Sequence, residues 1–307
     1  MDDFLDFEHF CKKYDKEEAC IDALFFARWP EGYCCPRCAH RRCYVIRSRR
    51  LPLYECSQCR AQTSLISGTI FEGTRTSLIH WFQAIFLHAA PEGTSAIRLA
   101  SIIGSTYKTA WLICHKIRHA MSSSQSEELL SGLVRVNWGV YGRPHNPTIY
   151  RHPQEQPLLA GASIDKNDQI THLKIMQVAE EHLIYDRITP AGGREFVSRH
   201  VNSSTADISV VIQKFSRQRY FPIIQRCYQA SQWINHIFNG IGPKHLQAYL
   251  DQFCFGFNMT KRDENIFGVL FHHCASTTTL KYPTLINRKN NSAMLKNDYF
   301  ELLRKAG

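Results

Sequence analysis

The chain has 307 residues, a formal net charge of +10, 44% hydrophobic residues and 21% charged ones. Such proportions belong to a folded protein of two or three domain-sized units, and they exclude a disordered chain, a low-complexity tract or a repeat array. The charge excess favours a polyanionic partner, nucleic acid first, because seven arginines lie between Arg37 and Arg60 with Glu55 the lone acid among them.

The opening Met1-Asp2-Asp3-Phe4 is acidic and lacks the basic-then-apolar plan of a secretion signal. The most apolar stretch, Ser77 to Ala90, is broken by His80, Gln83 and His88. A cytoplasmic protein with no membrane span is expected. Residues 1–27 read as one amino-terminal helix carrying Phe4, Phe7, Phe10 and Tyr14 on one side, a packing or partner face with no chemistry assigned to it.

Twelve cysteines with a single cluster suit a reduced compartment and a metal site better than a disulfide framework. Within residues 28–73, Cys35-Pro36-Arg37-Cys38 is followed after seventeen residues by Cys56-Ser57-Gln58-Cys59. Two residues between cysteines let one tight turn aim both sulfurs at a single ion, and two such turns make a four-thiolate zinc site. The intervening Tyr44-Val45-Ile46 and Leu53-Tyr54-Glu55 read as strands of a hairpin around Arg47 to Arg50. A unit this small has little apolar surface, so structural zinc, worth roughly 10 to 16 kcal/mol in apparent terms, supplies most of its folding energy. Four thiolates leave no open coordination position, which assigns the metal to structure and not to catalysis. Cys34 and Cys43 are spare, and a shift of one ligand to Cys34 is open. Cys114, Cys227, Cys254 and Cys274 sit in apolar surroundings and read as core thiols.

Over residues 74–124 apolar residues recur at helical spacing: Ile79, Phe82, Ala84, Ile85 and Phe86, then Ile97, Ala100, Ile102 and Ile103. Three helices are expected, with Thr94 or Ser95 capping the second, Gly104 closing it, and Ser105 or Thr106 capping a third that runs to about Met121. A small residue inside one helix, a glycine turn and polar residues opening the next form the layout of a DNA-reading helix-turn-helix, with an ordinary three-helix bundle as the plain alternative. Thr106, Tyr107, Lys108 and Thr109 would then face DNA, while Trp111, Ile113 and Ile117 pack inward. Arg37, Arg47, Arg49 and Arg50 of the ribbon and Lys116 of the third helix complete the DNA-facing candidates.

Several phrases together resemble the bacterial insertion-sequence transposases of the ISXO-like branch. They are the paired cysteines, Trp81-Phe82-Gln83-Ala84-Ile85, Tyr107-Lys108-Thr109-Ala110-Trp111, Lys116-Ile117-Arg118-His119-Ala120-Met121, and Pro243-Lys244-His245-Leu246-Gln247-Ala248-Tyr249-Leu250-Asp251-Gln252-Phe253. They stand in family order from about Ala27 to Cys274. The resemblance implies an α+β multidomain protein: zinc ribbon, helix-turn-helix segment, then an RNase H-like α/β domain with a mixed sheet over residues 130–275. It also implies binding of double-stranded DNA at transposon ends, and cutting and joining by three acids and two magnesium or manganese ions. A homo-oligomer is compatible with it.

The acids are where the chain departs from that family. Two metal ions on a phosphate need clustered carboxylates to offset their charge. In Leu133 to Gly142, which resembles the family's first strand, Asn137 and Trp138 stand in the places of the first catalytic Asp and the Glu after it. For the second Asp the nearest candidate is Asp207, with Val210 in the alternative register, and at the third position Asn239 matches the family's Asn. Gln252 and Gly256 stand where relatives carry Glu and Arg. Leu158 to Ile164 and Ile170 to Val178 read as the next two strands, joined by the turn Asp165-Lys166-Asn167-Asp168, and residues 276–307 read as a loosely ordered tail.

The expectation is therefore a DNA-binding transposase-family protein whose nuclease is silent. Its alternatives are an active enzyme using Asp165, Asp168 or Asp186, and a ribbon that grips a protein partner.

Overall fold

The computed structural model describes residues 2–142, 155–185, 187–262 and 265–286, with side chains from residue 7 onward. The chain is α+β and divides into two compact units, residues 1–120 with 265–281, and residues 121–264 with 282–307.

In the first unit the single helix expected over residues 1–27 is two, α1 (Asp2–Lys13) and α2 (Glu17–Arg28). The aromatic side of α1 has separate work from α2. Phe10 lies 4.5 Å from Phe86 and 4.9 Å from Phe267, ring centre to ring centre, and Tyr14 lies 4.8 Å from Phe82. α2 instead turns Phe25 and Trp29 onto Tyr54, at 5.3 and 5.2 Å. The Arg28 guanidinium closes that joint by donating to the carbonyls of Ser64 and Leu65 at 2.7 and 2.6 Å. One straight helix could not serve both sites.

The joint holds a three-stranded antiparallel sheet in the order β1 (Cys43–Ile46), β2 (Leu53–Cys56), β3 (Gln62–Ser64). Its hairpin register sets Cys43 opposite Cys56. Beyond it come α3 (Leu78–Ala89), α4 (Ala96–Ile102) and α5 (Tyr107–Glu127), the last running on into the second unit. Their starts follow capping chemistry: the Ser77 and Ser95 hydroxyls accept the N–H groups of His80 and Arg98, and Thr106 Oγ1 accepts that of Thr109. Between α4 and α5, Gly104 has φ +61°, a left-handed turn that glycine enters without strain.

In the second unit β4 (Leu133–Tyr141), β5 (Gln156–Ile164) and β6 (Ile170–Gln177) form an antiparallel meander. β7 (Leu183–Ile184) and β8 (Arg187–Ile188) make a small separate hairpin, followed by α6 (Pro190–His200). β9 (Asp207–Val211) then joins the sheet parallel to β4, giving the order β6-β5-β4-β9. α7 (Phe221–Phe238) and α8 (Pro243–Arg262) cover one face through Ile223, Cys227, Ala230, Ile234, Leu246 and Leu250, all buried. Phe196 of α6 fills the other face with Val134, Val136 and Leu159. Covered on both sides, β5 is buried from Pro157 through Ile164.

The domain expected to span residues 130–275 loses its end to the first unit. α9 (Ile266–Ser276) belongs there, with Phe267 against Phe10 and Phe271 4.7 Å from Phe82. Of the tail expected over residues 276–307, residues 287–307 lie outside the described residues, and within the remainder α10 (Tyr282–Ile286) is helical.

Candidate metal centre and sheet site

The sulfurs of Cys35, Cys38, Cys56 and Cys59 all lie within 4.8 Å of one another. Both knuckles are built alike. Cys35 N–H donates to the His40 carbonyl at 3.0 Å while Ala39 N–H returns to the Cys35 carbonyl at 2.9 Å, and Cys56 with Ala61 and Arg60 repeats this at 3.0 and 3.1 Å. The fifth residue of each turn is left-handed: Ala39 has φ 58° and Arg60 φ 59°. The turns face each other, with Cys35 and Cys59 sulfurs 3.6 Å apart and those of Cys38 and Cys56 also 3.6 Å apart. A zinc ion sits about 2.3 Å from each of four thiolates, and such a tetrahedron has edges of about 3.8 Å, so the sulfur cage fits zinc with little adjustment.

Ionisation is shared unevenly among these thiols. Burial works against the Cys35 thiolate, but the N–H groups of Arg37 and Cys38 and the thiols of Cys59 and Cys38 outweigh it and lower its pKa to about 6. At Cys38 the His40 N–H favours the anion, yet the neighbouring sulfurs and burial push it up to about 12. A divalent cation inside the cage reverses that repulsion and holds the sulfurs as thiolates. Cys34 lies outside the cage, its sulfur directed to the Ala39 carbonyl at 3.7 Å.

Of the DNA-facing candidates, Arg37, Arg47, Arg49 and Arg50 are exposed, as are Thr106, Tyr107 and Lys108. Arg50 also bonds Glu17 at 2.9 Å, the same carboxylate that accepts the Leu78 N–H at the start of α3. Lys116, expected to face DNA, instead faces the interior. It is buried at 7% exposure, donates to the Glu72 carbonyl at 3.2 Å and lies 5.9 Å from the Trp81 ring centre. Helical period carries the residue nine places beyond Tyr107 to the inner side of α5.

The catalytic candidates are not brought together. Asn137 is buried at 1% exposure, and its side-chain oxygen accepts the Tyr220 N–H at 2.8 Å. Its register partners are Ala160 and Val211, not acids. Asp207 stands opposite Leu133, four residues or about 13 Å down the strand, and is ion-paired to Arg135 at 2.8 Å. Val210, the alternative, pairs with Val136. Asn239 is the left-handed residue closing α7 at φ 56°, whereas Tyr220 precedes the first turn of that eighteen-residue helix, about 27 Å away. The residues around Asn137 therefore do not fit a pair of divalent cations.

Asp165 accepts the Asn167 and Gln169 N–H groups at 2.9 and 2.8 Å, so it holds its own turn. Asp168 takes the Tyr220 hydroxyl at 3.0 Å. Asp186 lies outside the described residues. Neither the N–H bond of Tyr220 to Asn137 nor its hydroxyl bond to Asp168 has a local signature in the sequence. A second group of close acids and histidine, Glu181, His182 and Glu195, is likewise assembled by tertiary contacts with no local signature. Arg199 lies 2.6 Å from Glu195 and already supplies that cluster with positive charge.

Residues 15–62 match the transposase zinc-ribbon domain family. Over 127 residues the chain is 26% identical to an uncharacterized protein in transposable element ISH50 of Halobacterium salinarum; the alignment covers 41% of this chain and 42% of the relative. The chain thus spans less than half the length of that relative. No solved structure matches the chain. The chain is thus similar to transposase zinc ribbons over residues 15–62 and, more distantly, to a protein of a transposable element. Among the described residues no helix is long and apolar enough to cross a membrane.

Proposed function

We propose that this is a DNA-binding protein of an insertion sequence, from the ISXO-like branch of transposases, with a zinc-stabilised reading half and a silent nuclease half. The observation that carries the reading is the paired thiol cage inside a seven-arginine segment, at the residues that match transposase zinc ribbons. Cys35, Cys38, Cys56 and Cys59 would hold the zinc, whose part is to lock the ribbon.

The helix-turn-helix assignment draws support from a capped α4, a left-handed Gly104 and a Thr106-capped α5 whose first turn exposes Tyr107 and Lys108. An RNase H-like second unit draws support from a three-stranded meander extended by a parallel strand beside its first member, with helices on both faces. Silence follows from charge. An amide at position 137 cannot neutralise two cations, and loss of that stabilisation removes several kcal/mol from the barrier reduction a metal site supplies.

The test uses the full chain with zinc and duplex DNA bearing the element's own ends. Salt-sensitive binding is expected, with no strand cleavage in magnesium or manganese. Cleavage would overturn the silent-nuclease reading, and salt-insensitive or absent binding would favour the ribbon as a grip for a protein partner.

A further inference from the structure

β9 ends at Val211, opposite Asn137, whereas β4 continues to Tyr141. Past Asn137, Trp138 and Val140 thus lie on a stretch of strand that no other described strand pairs on the β9 side, and residues 212–216 leave β9 beside it. A cleft of about 520 Å³ opens there, within the range of small-ligand sites. It lies beyond the carboxyl end of β9 and beside the unpaired last residues of β4.

The lining has a specific chemistry. The Trp138 indole is half-buried, with Ile212 and Pro190 as apolar walls, and Phe215 is 59% exposed. Lys214 Nζ lies 5.4 Å from the Trp138 ring centre and 5.8 Å from that of Phe215, and Arg187 lines the same cleft. Aromatic faces accept a flat heteroaromatic ring, and cations beside them accept a phosphate, so the two together suit a nucleotide better than an aliphatic or peptidic ligand. A base inside a duplex presents only its edges. The ring that reaches Trp138 must come from an unpaired position.

We infer that this cleft takes one unpaired nucleotide at a DNA end, its base stacked on Trp138 and its phosphate held by Lys214 and Arg187. The inference rests on the DNA-binding reading and adds to it a preference for a frayed or overhanging end. It needs no carboxylate and no metal, so it is compatible with a silent nuclease.

The experiment compares two duplexes of the same sequence, one blunt and one with a short single-stranded overhang carrying 2-aminopurine, each titrated with the full chain. The expected result is tighter binding of the overhang by about tenfold, with quenching of 2-aminopurine on binding. Trp138→Ala should remove the preference and the quenching, Trp138→Phe should retain most of both, and Lys214→Gln should weaken the preference. Should Trp138→Ala fail to fold, Lys214→Gln and Phe215→Ala carry the test at exposed or rim positions. Equal affinity for blunt and overhanging DNA, or a preference unchanged in the folded variants, overturns the inference and leaves the DNA-binding reading standing. Binding of neither duplex overturns both.

Discussion

Asn258 pairs with Leu173 as a neighbouring strand would. Its side-chain oxygen accepts the Leu173 N–H at 2.8 Å and its amide nitrogen donates to the Leu173 carbonyl at 3.0 Å, with both residues fully buried. Eleven residues earlier on α8, Gln247 does the same for the Gln177 N–H and Ile175 carbonyl, at 2.7 and 2.9 Å. About 16 Å of helix therefore runs beside about 13 Å of strand, and two side-chain amides stand where a further strand would pair with β6, the edge strand among the described residues. Asn258→Leu leaves two buried backbone groups without partners and should lower stability by about 2 to 5 kcal/mol in urea unfolding. A loss below about 0.5 kcal/mol would remove this role from Asn258.

Gly139 lets α7 approach the sheet. A Cβ there would stand 2.5 Å from Cys227 Sγ and 3.1 Å from its Cβ. Gly139→Ala should cost about 1 to 3 kcal/mol, and Cys227→Ala in the same chain should recover most of it because only the sulfur contact is prohibitive. Additive losses in the double variant would contradict the contact as the cause.

Metal analysis of the purified chain should find about one zinc, and Cys56→Ser or chelation should unfold the ribbon, which has little apolar core of its own. The left-handed Ala39 adds a finer check. Holding an L-residue at φ 58° costs about 1 kcal/mol, so Ala39→Gly should stabilise the zinc-loaded ribbon while Ala39→Val weakens it. A ribbon that stays folded without metal would count against the thiolate site.

Lys108 and Lys116 should part company in a salt titration of duplex binding. Lys108→Ala, at an exposed site on the first turn of α5, should weaken binding and reduce the salt slope by about one unit. Lys116→Ala should leave the slope unchanged and lower the melting temperature, since its ammonium group serves the Glu72 carbonyl.

Burial depresses three histidines: His88 to about 3, with Arg118 adding to the effect, and His172 and His200 to about 4, with Lys174 adding to both. Glu128 pulls His172 the other way without winning. An unfolded histidine titrates near 6.5, so below about pH 6.5 the unfolded chain takes up protons that the folded chain refuses. Stability from these groups is complete above that pH and is lost as pH falls toward 4. Urea midpoints at pH 7 and pH 5 should show the drop, and His172→Gln should flatten it. An unchanged slope in that variant would assign the dependence to other groups.

Residue order alone disclosed what depends on short range. Two cysteines three apart make a turn wherever they lie, Ser95 caps a helix through its own neighbours, and the apolar runs of β5 and β6 stand out to within two residues, whereas β4 was legible through the family resemblance. The break between α1 and α2 was invisible because periodicity continues across it, and only the separate aromatic contacts of Phe10 and Trp29 require it. Tertiary packing likewise decided that Lys116 faces inward, that α9 joins the first unit, and that Asp207 stands four strand positions from the partner of Asn137. Register, helix rotation and long-range pairing are set by the whole core, and no window of residues encodes them singly.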